Sequence, residues 1–212
     1  MKKKIIVRGP VLSQSGYGEQ SRFALRALHS RQDLFDVFIQ PLGWGKTGWV
    51  TEQTEFRQWL DERIKISQLL ISQKKLIPDI SLQIGIPNEW QKMCDINIGY
   101  TAGIETTRVA PQWLTKGNEM DKILVVSNHA KETYQNTVAQ ATNNQTNKPF
   151  PYRLETPIEV VYEKTAYSPP EPLDDLKLDY DFNFLCVSQM GPRKNFENTI
   201  KWFVEEFVDQ EV

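Results

Sequence analysis

Histidine and cysteine are scarce in this chain, which has two of each in 212 residues. Cys94 and Cys186 lie far apart and form no CxxC pair, so their spacing argues against a disulfide framework. His29 and His129 are also distant from each other, and no cluster has the ligand spacing of a metal site. No Ser-His-Asp order stands out. The sequence therefore predicts no bound metal and indicates no catalytic triad.

Long apolar runs and an excess of basic charge are also missing. No stretch approaches the roughly 20 apolar residues of a membrane-spanning helix. Met1–Lys4 is followed only by Ile5–Val7, which is too short for the apolar part of a signal peptide. The formal net charge is -2, whereas a nucleic-acid-binding domain is usually strongly basic. We therefore expect a protein of the cytoplasm, at most peripheral to a membrane, without a nucleic-acid partner.

Apolar runs of strand length alternate with segments of helical periodicity in the first part of the chain. Six runs are predicted as strands: 4–7, 36–42, 80–84, 96–100, 122–126 and 158–162. Apolar spacing predicts helices over 19–30, 51–75, 111–120 and from 129 onwards. The polar stretch 138–157 is predicted as a loop. This alternation favours a Rossmann-like α/β fold, a parallel sheet with helices on both faces.

A proline-rich segment marks a division of the chain. Ser168–Pro172 is the clearest linker. After it, Phe182–Ser188 has the character of a buried strand and Phe196–Phe207 that of an amphipathic helix. A lone strand, turn and helix cannot bury both faces of a sheet, so we expect a fragment of a longer protein. The predicted organisation is a domain over 1–165, a linker over 166–181, and the first strand and helix of a second domain over 182–212.

The loop Ser13–Gly18 follows the first predicted strand and contains Gly16 and Gly18. At the carboxyl end of a parallel strand such a loop can offer backbone N–H groups and a helix N-terminus to a phosphate. A flexible turn that needs glycine for a positive φ explains it equally well. A dinucleotide fingerprint fails, because its third glycine is replaced by Ser21 and the second strand ends in Gln40–Pro41 instead of an acid. A dehydrogenase is therefore disfavoured.

Other polar residues also follow predicted strands. Glu105 is placed to meet a hydroxyl-rich ligand, although an acid at a helix N-terminus is an equal alternative. Ser127 can cap the next helix, and for His129 a capping or surface role is favoured over catalysis. Arg193 and Lys194 occupy the turn before a helix, which suits a diphosphate. A solvated basic pair is the alternative for these two cations.

The order of these pieces resembles that of the retaining glycosyltransferases of the GT-B fold, close to glycosyltransferase family 4. Each match is short, but together they span nearly the whole chain. The four matching stretches are Gly9–Pro10 with Ser15–Gly18, Ile98–Tyr100 leading to Glu105 and Trp113, Ile123–Asn128, and Phe184–Asn195.

The resemblance implies two Rossmann-like domains with an active site in the cleft between them. The C-terminal domain would bind a nucleotide diphosphate sugar, which is a substrate, and no cofactor is expected. Lys194 and Arg193 would contact the donor diphosphate, and Gly16 and Gly18 would close over it from the other side. Such enzymes commonly need no metal, because cations and helix dipoles stabilise the leaving diphosphate.

The N-terminal domain would mainly bind the acceptor, which could be a glycan, a lipid-linked molecule or a small molecule. We assign Glu105 as the catalytic residue and place Tyr17, Ser127 and His129 on the acceptor side. The predicted reaction is transfer of a sugar to an acceptor hydroxyl with retention at the anomeric carbon. The alternative is a non-enzymatic nucleotide- or sugar-binding α/β module.

The chain also departs from the family pattern. Many members carry an arginine where this chain has Gln189, and Val160–Lys164 replaces the usual Pro-Asn-Gly-Val-Asp. The paired glutamates of the family's second domain would lie beyond Val212, so we expect the chain alone to be inactive and to lack its C-terminal domain. A further ~150 residues of strand-helix alternation with an E-x7-E pattern would favour the enzyme over the binding module.

Overall fold

The computed structural model describes residues 2–143, 145–163, 169–188 and 190–208. The chain forms two compact units, Met1–Thr165 and Ala166–Val212. Ser168, at the start of the predicted proline-rich linker, and Gln189 lie outside the described residues.

The first unit is built from alternating strands and helices. Its described strands are β1 (Lys3–Gly9), β2 (Phe35–Pro41), β3 (Ile80–Ile84), β4 (Ile96–Thr101), β5 (Lys122–Val125), β6 (Ala139–Thr142), β7 (Pro149–Tyr152) and β8 (Ile158–Val160). Its described helices are α1 (Gly16–His29), α2 (Glu55–Ser72), α3 (Pro111–Asn118) and α4 (Asn128–Asn136). The second unit contains α5 (Phe196–Phe207), preceded by a 3-10 turn at Pro192–Lys194.

Six strands form one parallel sheet in the order β2-β1-β3-β4-β5-β8. The sheet is flanked by helices, so the predicted Rossmann-like α/β class is confirmed. The strand order reverses at β1, which has β2 on one side and β3 on the other. In an open parallel sheet this reversal leaves a crevice at the carboxyl ends of the two diverging strands, where ligands usually bind.

A two-stranded antiparallel hairpin of β6 and β7 corrects the loop predicted over 138–157. Each strand has only four residues, and the second contains Pro149 and Pro151, which are rare inside strands, so the sequence signal for a strand is weak. The turn is closed locally, because the side-chain oxygen of Asn143 accepts hydrogen bonds from the backbone N–H groups of Gln145 and Thr146. Ala139 and Tyr152 also pack against buried apolar side chains of the first unit, so backbone pairing, turn chemistry and apolar contacts together form this hairpin.

The predicted strand Phe182–Ser188 does not form within the described part of the second unit. Its backbone has no neighbouring strand to pair with, and an unpaired strand leaves its N–H and C=O groups to water. The predicted amphipathic helix is present as α5. The ring of Phe184 packs against Phe203 and Phe207, with centroids 5.0 Å and 5.3 Å apart, so ring contacts hold this segment against the helix.

Two clusters of buried apolar side chains stabilise the first unit. One joins α1 and α2 to the strands near the switch point and includes Val7, Leu25 and Leu60. The other surrounds β5 and includes Leu114 and Tyr134. Among the described residues, no helix is both long enough and apolar enough to cross a bilayer.

A buried polar network lies at the amino end of β4. The side-chain oxygen of Asn97 accepts from the Ser81 hydroxyl at 2.9 Å and from the backbone N–H of Met93 at 2.8 Å. Its side-chain amide donates to the carbonyl of Cys94 at 2.7 Å. Asn97 and Ser81 are buried, so every one of these groups would be costly to leave unpaired.

We expect Asn97→Ala to lower the free energy of unfolding by about 2–3 kcal/mol, because Ser81 and Met93 would lose their acceptor in a buried site. Urea denaturation followed by far-UV circular dichroism would measure the change. Asn88→Ala, at an exposed turn position, is the matched control and should stay within about 0.5 kcal/mol of the wild type. Equal stability of the two variants would contradict a structural role for the network.

Candidate site at the carboxyl edge of the sheet

The candidate site lies where β1, β3 and β4 end. The loop 10–15 leaves β1 and enters α1, Gly85 follows β3, and Thr101 is the last residue of β4. Gly85 has a φ of 155°, which favours glycine at this position. This edge includes the switch point of the sheet, where the topology leaves room for a ligand.

Tyr17 connects α1 to the end of β4. Its hydroxyl shares a 2.9 Å hydrogen bond with the hydroxyl of Thr101, and its ring contacts Trp44 with centroids 4.7 Å apart. Burial raises the pKa of Tyr17 above its ordinary value, and the Thr101 hydrogen bond partly offsets this increase. The phenol therefore stays neutral and can exchange hydrogen bonds with a polar ligand.

Two buried polar groups beside Tyr17 lack a hydrogen-bond partner among the described residues. They are the side-chain amide of Gln20 and the hydroxyl of Tyr134. Gln20 is only 2% exposed, and its amide approaches the Tyr100 hydroxyl without reaching hydrogen-bond geometry. Buried polar groups are nearly always paired, so unpaired ones call for a water or a ligand group.

Tyr100 and Glu163 complete this polar region. The Tyr100 hydroxyl donates to the carbonyl of Val161 at 3.0 Å, and burial raises the pKa of Tyr100. Burial is also the main cause that raises the pKa of Glu163, followed by the negative charge of Glu19. The Glu163 side chain itself is exposed.

Neither glycine of the first loop has the positive φ that a tight turn would require. Gly16 is the first residue of α1, is exposed and does not have a positive φ. Gly18 is buried in the first turn, and its N–H donates to the Ser15 hydroxyl at 3.1 Å. A Cβ atom at Gly18 would overlap the carbonyl oxygen of Ser13, whereas one at Gly16 would meet nothing within 4 Å. The expected positive φ is therefore wrong, and close packing explains Gly18.

The loop is also held firmly, which corrects the expectation of a flexible turn. The backbone N–H of Gln14 donates to Gly48 at 2.8 Å, and that of Val50 donates to Leu12 at 2.9 Å. The guanidinium of Arg22 donates to the loop carbonyls, including that of Ser13 at 2.8 Å. Because these bonds join the loops that follow β1 and β2, the aromatic residues between them are held in place.

The loop after β4 packs against the helix that follows β5. Gly103, in the loop that carries Glu105, packs so closely on α4 that a Cβ atom there would come within 2.7 Å of the Ala130 side chain. The Ser127 hydroxyl accepts from the backbone N–H of Ala130 at 3.1 Å, which confirms that Ser127 caps α4. His129 is exposed in the first turn of that helix, and Glu105 is exposed in its loop.

Arg193 and Lys194 belong to the second unit. They lie in the 3-10 turn that precedes α5, and both are exposed. Asn195 joins the turn to the helix with a left-handed backbone, at a φ of 52°. The predicted turn and helix are present, so two cations do precede a helix N-terminus. The structure holds no described group of three His, Cys, Asp or Glu residues that could bind a metal ion.

Several site residues had no clear signal in the sequence. Tyr100 and Thr101 could be recognised as the end of a strand, but the contact of Thr101 with Tyr17 could not. In the sequence Gln20 cannot be told from the other polar residues of a helix. Only its burial in the structure shows that its side-chain amide is unusual. Trp44 lies in a glycine-rich loop and acquires its role from the ring contact with Tyr17.

Comparisons of this chain with protein-family models, with characterised proteins and with solved structures find no significant match.

We expect Gly18→Ala and Gly16→Ala to have opposite effects. The added methyl group at Gly18 overlaps the Ser13 carbonyl, so the free energy of unfolding should fall by about 2–3 kcal/mol. At Gly16 the methyl group has room, and restriction of the unfolded chain should raise stability by about 0.4–1 kcal/mol. Thermal and urea denaturation would measure both changes. Similar losses in the two variants would show that the loop is not packed as described.

We also expect stability to decline as the pH rises above about 10. Burial raises the pKa values of Tyr17 and Tyr100 in the folded state, so the unfolded tyrosines ionise first and favour unfolding. Their contribution is fully present below about pH 10 and is lost as the pH rises towards the folded pKa values. Urea unfolding at a series of pH values should give a shallower alkaline decline for Tyr17→Phe than for the wild type. Identical slopes would refute the burial of the Tyr17 phenol.

Proposed function

We propose that this chain is the acceptor-side domain of a retaining glycosyltransferase with the GT-B fold, together with the first part of its donor-binding domain. The reaction is transfer of a sugar from a nucleotide diphosphate sugar to an acceptor hydroxyl. The Rossmann-like sheet of the first unit supports this proposal, because both domains of such enzymes have this architecture. The cytoplasm, where nucleotide sugars are available, is the proposed location.

The observation that carries the proposal is the group of hydroxyl and amide side chains at the carboxyl edge of the sheet. The Tyr17–Thr101 hydrogen bond lies at this edge, with the unpaired buried amide of Gln20 nearby. Neutral donors and acceptors of this kind suit a substrate that is rich in hydroxyl groups. The loop that carries Glu105 follows β4 and so begins at the same edge.

In this proposal Glu105 is the catalytic carboxylate and contacts the reacting sugar. Burial is the main cause of the raised pKa of Tyr17, and the negative charge of Glu105 adds to it. Ser127 and His129, at the start of α4, contact the acceptor from the adjacent strand end.

Arg193 and Lys194 neutralise the diphosphate as it leaves. The N-terminus of α5 adds its dipole to the two cations, and together they supply the positive charge that other enzymes take from a metal. The exposed Gly16 is the position where the first turn of α1 can approach the donor most closely.

A non-enzymatic sugar-binding module is the second candidate, and one observation favours it. The N–H of Gly18 already donates to Ser15, and the surrounding loop is tied to the 48–50 segment. The loop therefore offers fewer backbone donors to a diphosphate than a phosphate-binding loop does. Such a module would bind neutral sugars at the same edge without turnover.

The test is an assay of the complete translation product of the reading frame. The purified protein would be incubated with a panel of nucleotide diphosphate sugars and acceptor glycans, and release of the nucleoside diphosphate would be measured. We expect turnover with at least one donor, and a product whose anomeric configuration by NMR equals that of the donor. Sugar binding without any turnover would refute the enzyme and favour the binding module.

We expect Lys194→Ala to lower kcat/KM by about ten- to a hundredfold, since a charge-assisted hydrogen bond contributes roughly 1.5–3 kcal/mol. Glu105→Gln should lower kcat and leave the fold intact, because it keeps the shape and removes the charge. Steady-state kinetics of the full-length protein would measure both effects.

Two matched variants serve as controls for these effects. Lys201→Ala removes an exposed cation from α5, where the Nζ atom of Lys201 lies 3.7 Å from the Oε1 atom of Glu205. Glu132→Gln removes an exposed acid from α4. Both controls should keep wild-type kinetics. If Lys194→Ala and Glu105→Gln behave like them, the two residues are ordinary surface charges and the site assignment fails.

A further inference from the structure

A second cleft of the first unit opens between α2 and the loops that follow β1 and β2. Its volume is about 480 Å³, which lies in the range of small-molecule binding sites, roughly 300–1,000 Å³. Trp44 and Trp49 line it on the loop side, and Asp61, Lys65 and Gln68 line it on the α2 side. None of these residues has a role in the proposed reaction.

Trp49 is the most unusual residue of this cleft. Its side chain is 66% exposed, although the backbone that carries it is well fixed. Trp49 forms an isolated β-bridge with Ser13, and the next residue, Val50, donates its N–H to Leu12 at 2.9 Å. An exposed indole beside a cleft offers apolar surface that a bound ligand can cover.

Trp44 contacts Tyr17 and lies near Gly85. Its ring contacts Tyr17, and a Cβ atom built on Gly85 would lie 3.6 Å from it. The two indoles therefore form aromatic walls of the cleft, Trp44 beside the carboxyl edge and Trp49 at the outer rim, and hydrogen bonds fix the backbone next to Trp49. Fixed walls avoid the entropy cost of ordering loops and side chains when a ligand binds.

The polar side of the cleft is a single face of α2. Asp61, Lys65 and Gln68 recur at helical spacing and so project in the same direction. Asp61 is held by a 3.0 Å salt bridge to Arg57, and Lys65 carries the opposite charge. The three side chains that line the cleft are one acid, one base and one amide, so the lining itself has no cluster of positive charge for a diphosphate, but it offers several hydrogen-bond donors and acceptors.

This combination determines the class of ligand. Flat indole rings pack against the apolar C–H faces of a sugar ring, while the polar side chains can bind its hydroxyl groups. A diphosphate or a nucleic acid would need an excess of positive charge. A purely apolar ligand would leave the polar face of α2 unpaired.

We propose that the Trp44–Trp49 cleft binds neutral saccharide units of a glycan. Trp44 also contacts Tyr17 at the candidate site, so a glycan bound in the cleft can extend towards the carboxyl edge of the sheet. That the bound glycan is the acceptor of the transfer reaction rests on the proposed function. Binding of the saccharide itself does not require catalysis.

The test uses the 212-residue chain labelled with ¹⁵N. It is titrated with linear tetrasaccharides of α-linked glucose, β-linked glucose, α-linked mannose and β-linked N-acetylglucosamine, and the indole N–H signals are followed by NMR. We expect at least one tetrasaccharide to shift the signals of Trp44 and Trp49, assigned by Trp→Phe variants, and to leave those of Trp113 and Trp202 unchanged. Trp49→Ala should weaken binding by about tenfold or more.

Leu69→Ala is the matched control, because Leu69 is an exposed apolar residue of α2 that does not line the cleft. It should bind the saccharide like the wild type. The proposal is overturned if no tetrasaccharide shifts the two indole signals, or if Trp49→Ala binds as tightly as Leu69→Ala does. It is also overturned if phospholipid vesicles or an apolar detergent shift them and saccharides do not. None of these measurements requires turnover. Their outcome therefore does not decide whether the protein is a glycosyltransferase, which the transferase assay tests separately.

Discussion

The packing of Gly18 against the carbonyl of Ser13 is the constraint on which the candidate site depends. Only a residue without a side chain lets the first turn of α1 lie this close to the loop that leaves β1. The same turn is capped by Ser15, whose hydroxyl accepts from Gly18. Because the turn is fixed in this position, Tyr17 reaches across the switch point to the Thr101 hydroxyl at the end of β4.

The loops around this turn form one connected structure. Hydrogen bonds between the 12–14 and 48–50 segments fix the backbone around the exposed indole of Trp49, and the contact between Tyr17 and Trp44 links the cleft to the edge of the sheet. Rigid loops are suited to recognising a substrate by shape, since little entropy is lost on binding. A single arrangement of loops therefore serves both the polar edge and the aromatic cleft.

The sheet of the first unit was largely predictable. The hairpin of β6 and β7 was not, and the sequence also did not reveal that the predicted strand over Phe182–Ser188 would not form. Buried parallel strands appear as continuous β-branched runs such as Ile5–Val7, which is a strong local signal. The hairpin of β6 and β7 depends on backbone pairing with a short strand that contains two prolines and on the packing of Ala139 and Tyr152, and composition alone indicates a loop there. Phe182–Ser188 has the composition of a strand, but a strand also needs a neighbour, and local composition does not reveal whether one exists.

By itself the sequence determined the alternation of strands and helices, the capping of α4 by Ser127 and the turn before α5, because periodicity and capping act over a few residues. Only the tertiary structure decided which polar residues meet. Tyr17 and Thr101 are 84 positions apart, and the burial of the Gln20 amide results from the packing of α1 on the sheet. The reason is physical: local preferences arise within one element, whereas a site forms where the topology brings the ends of several elements together.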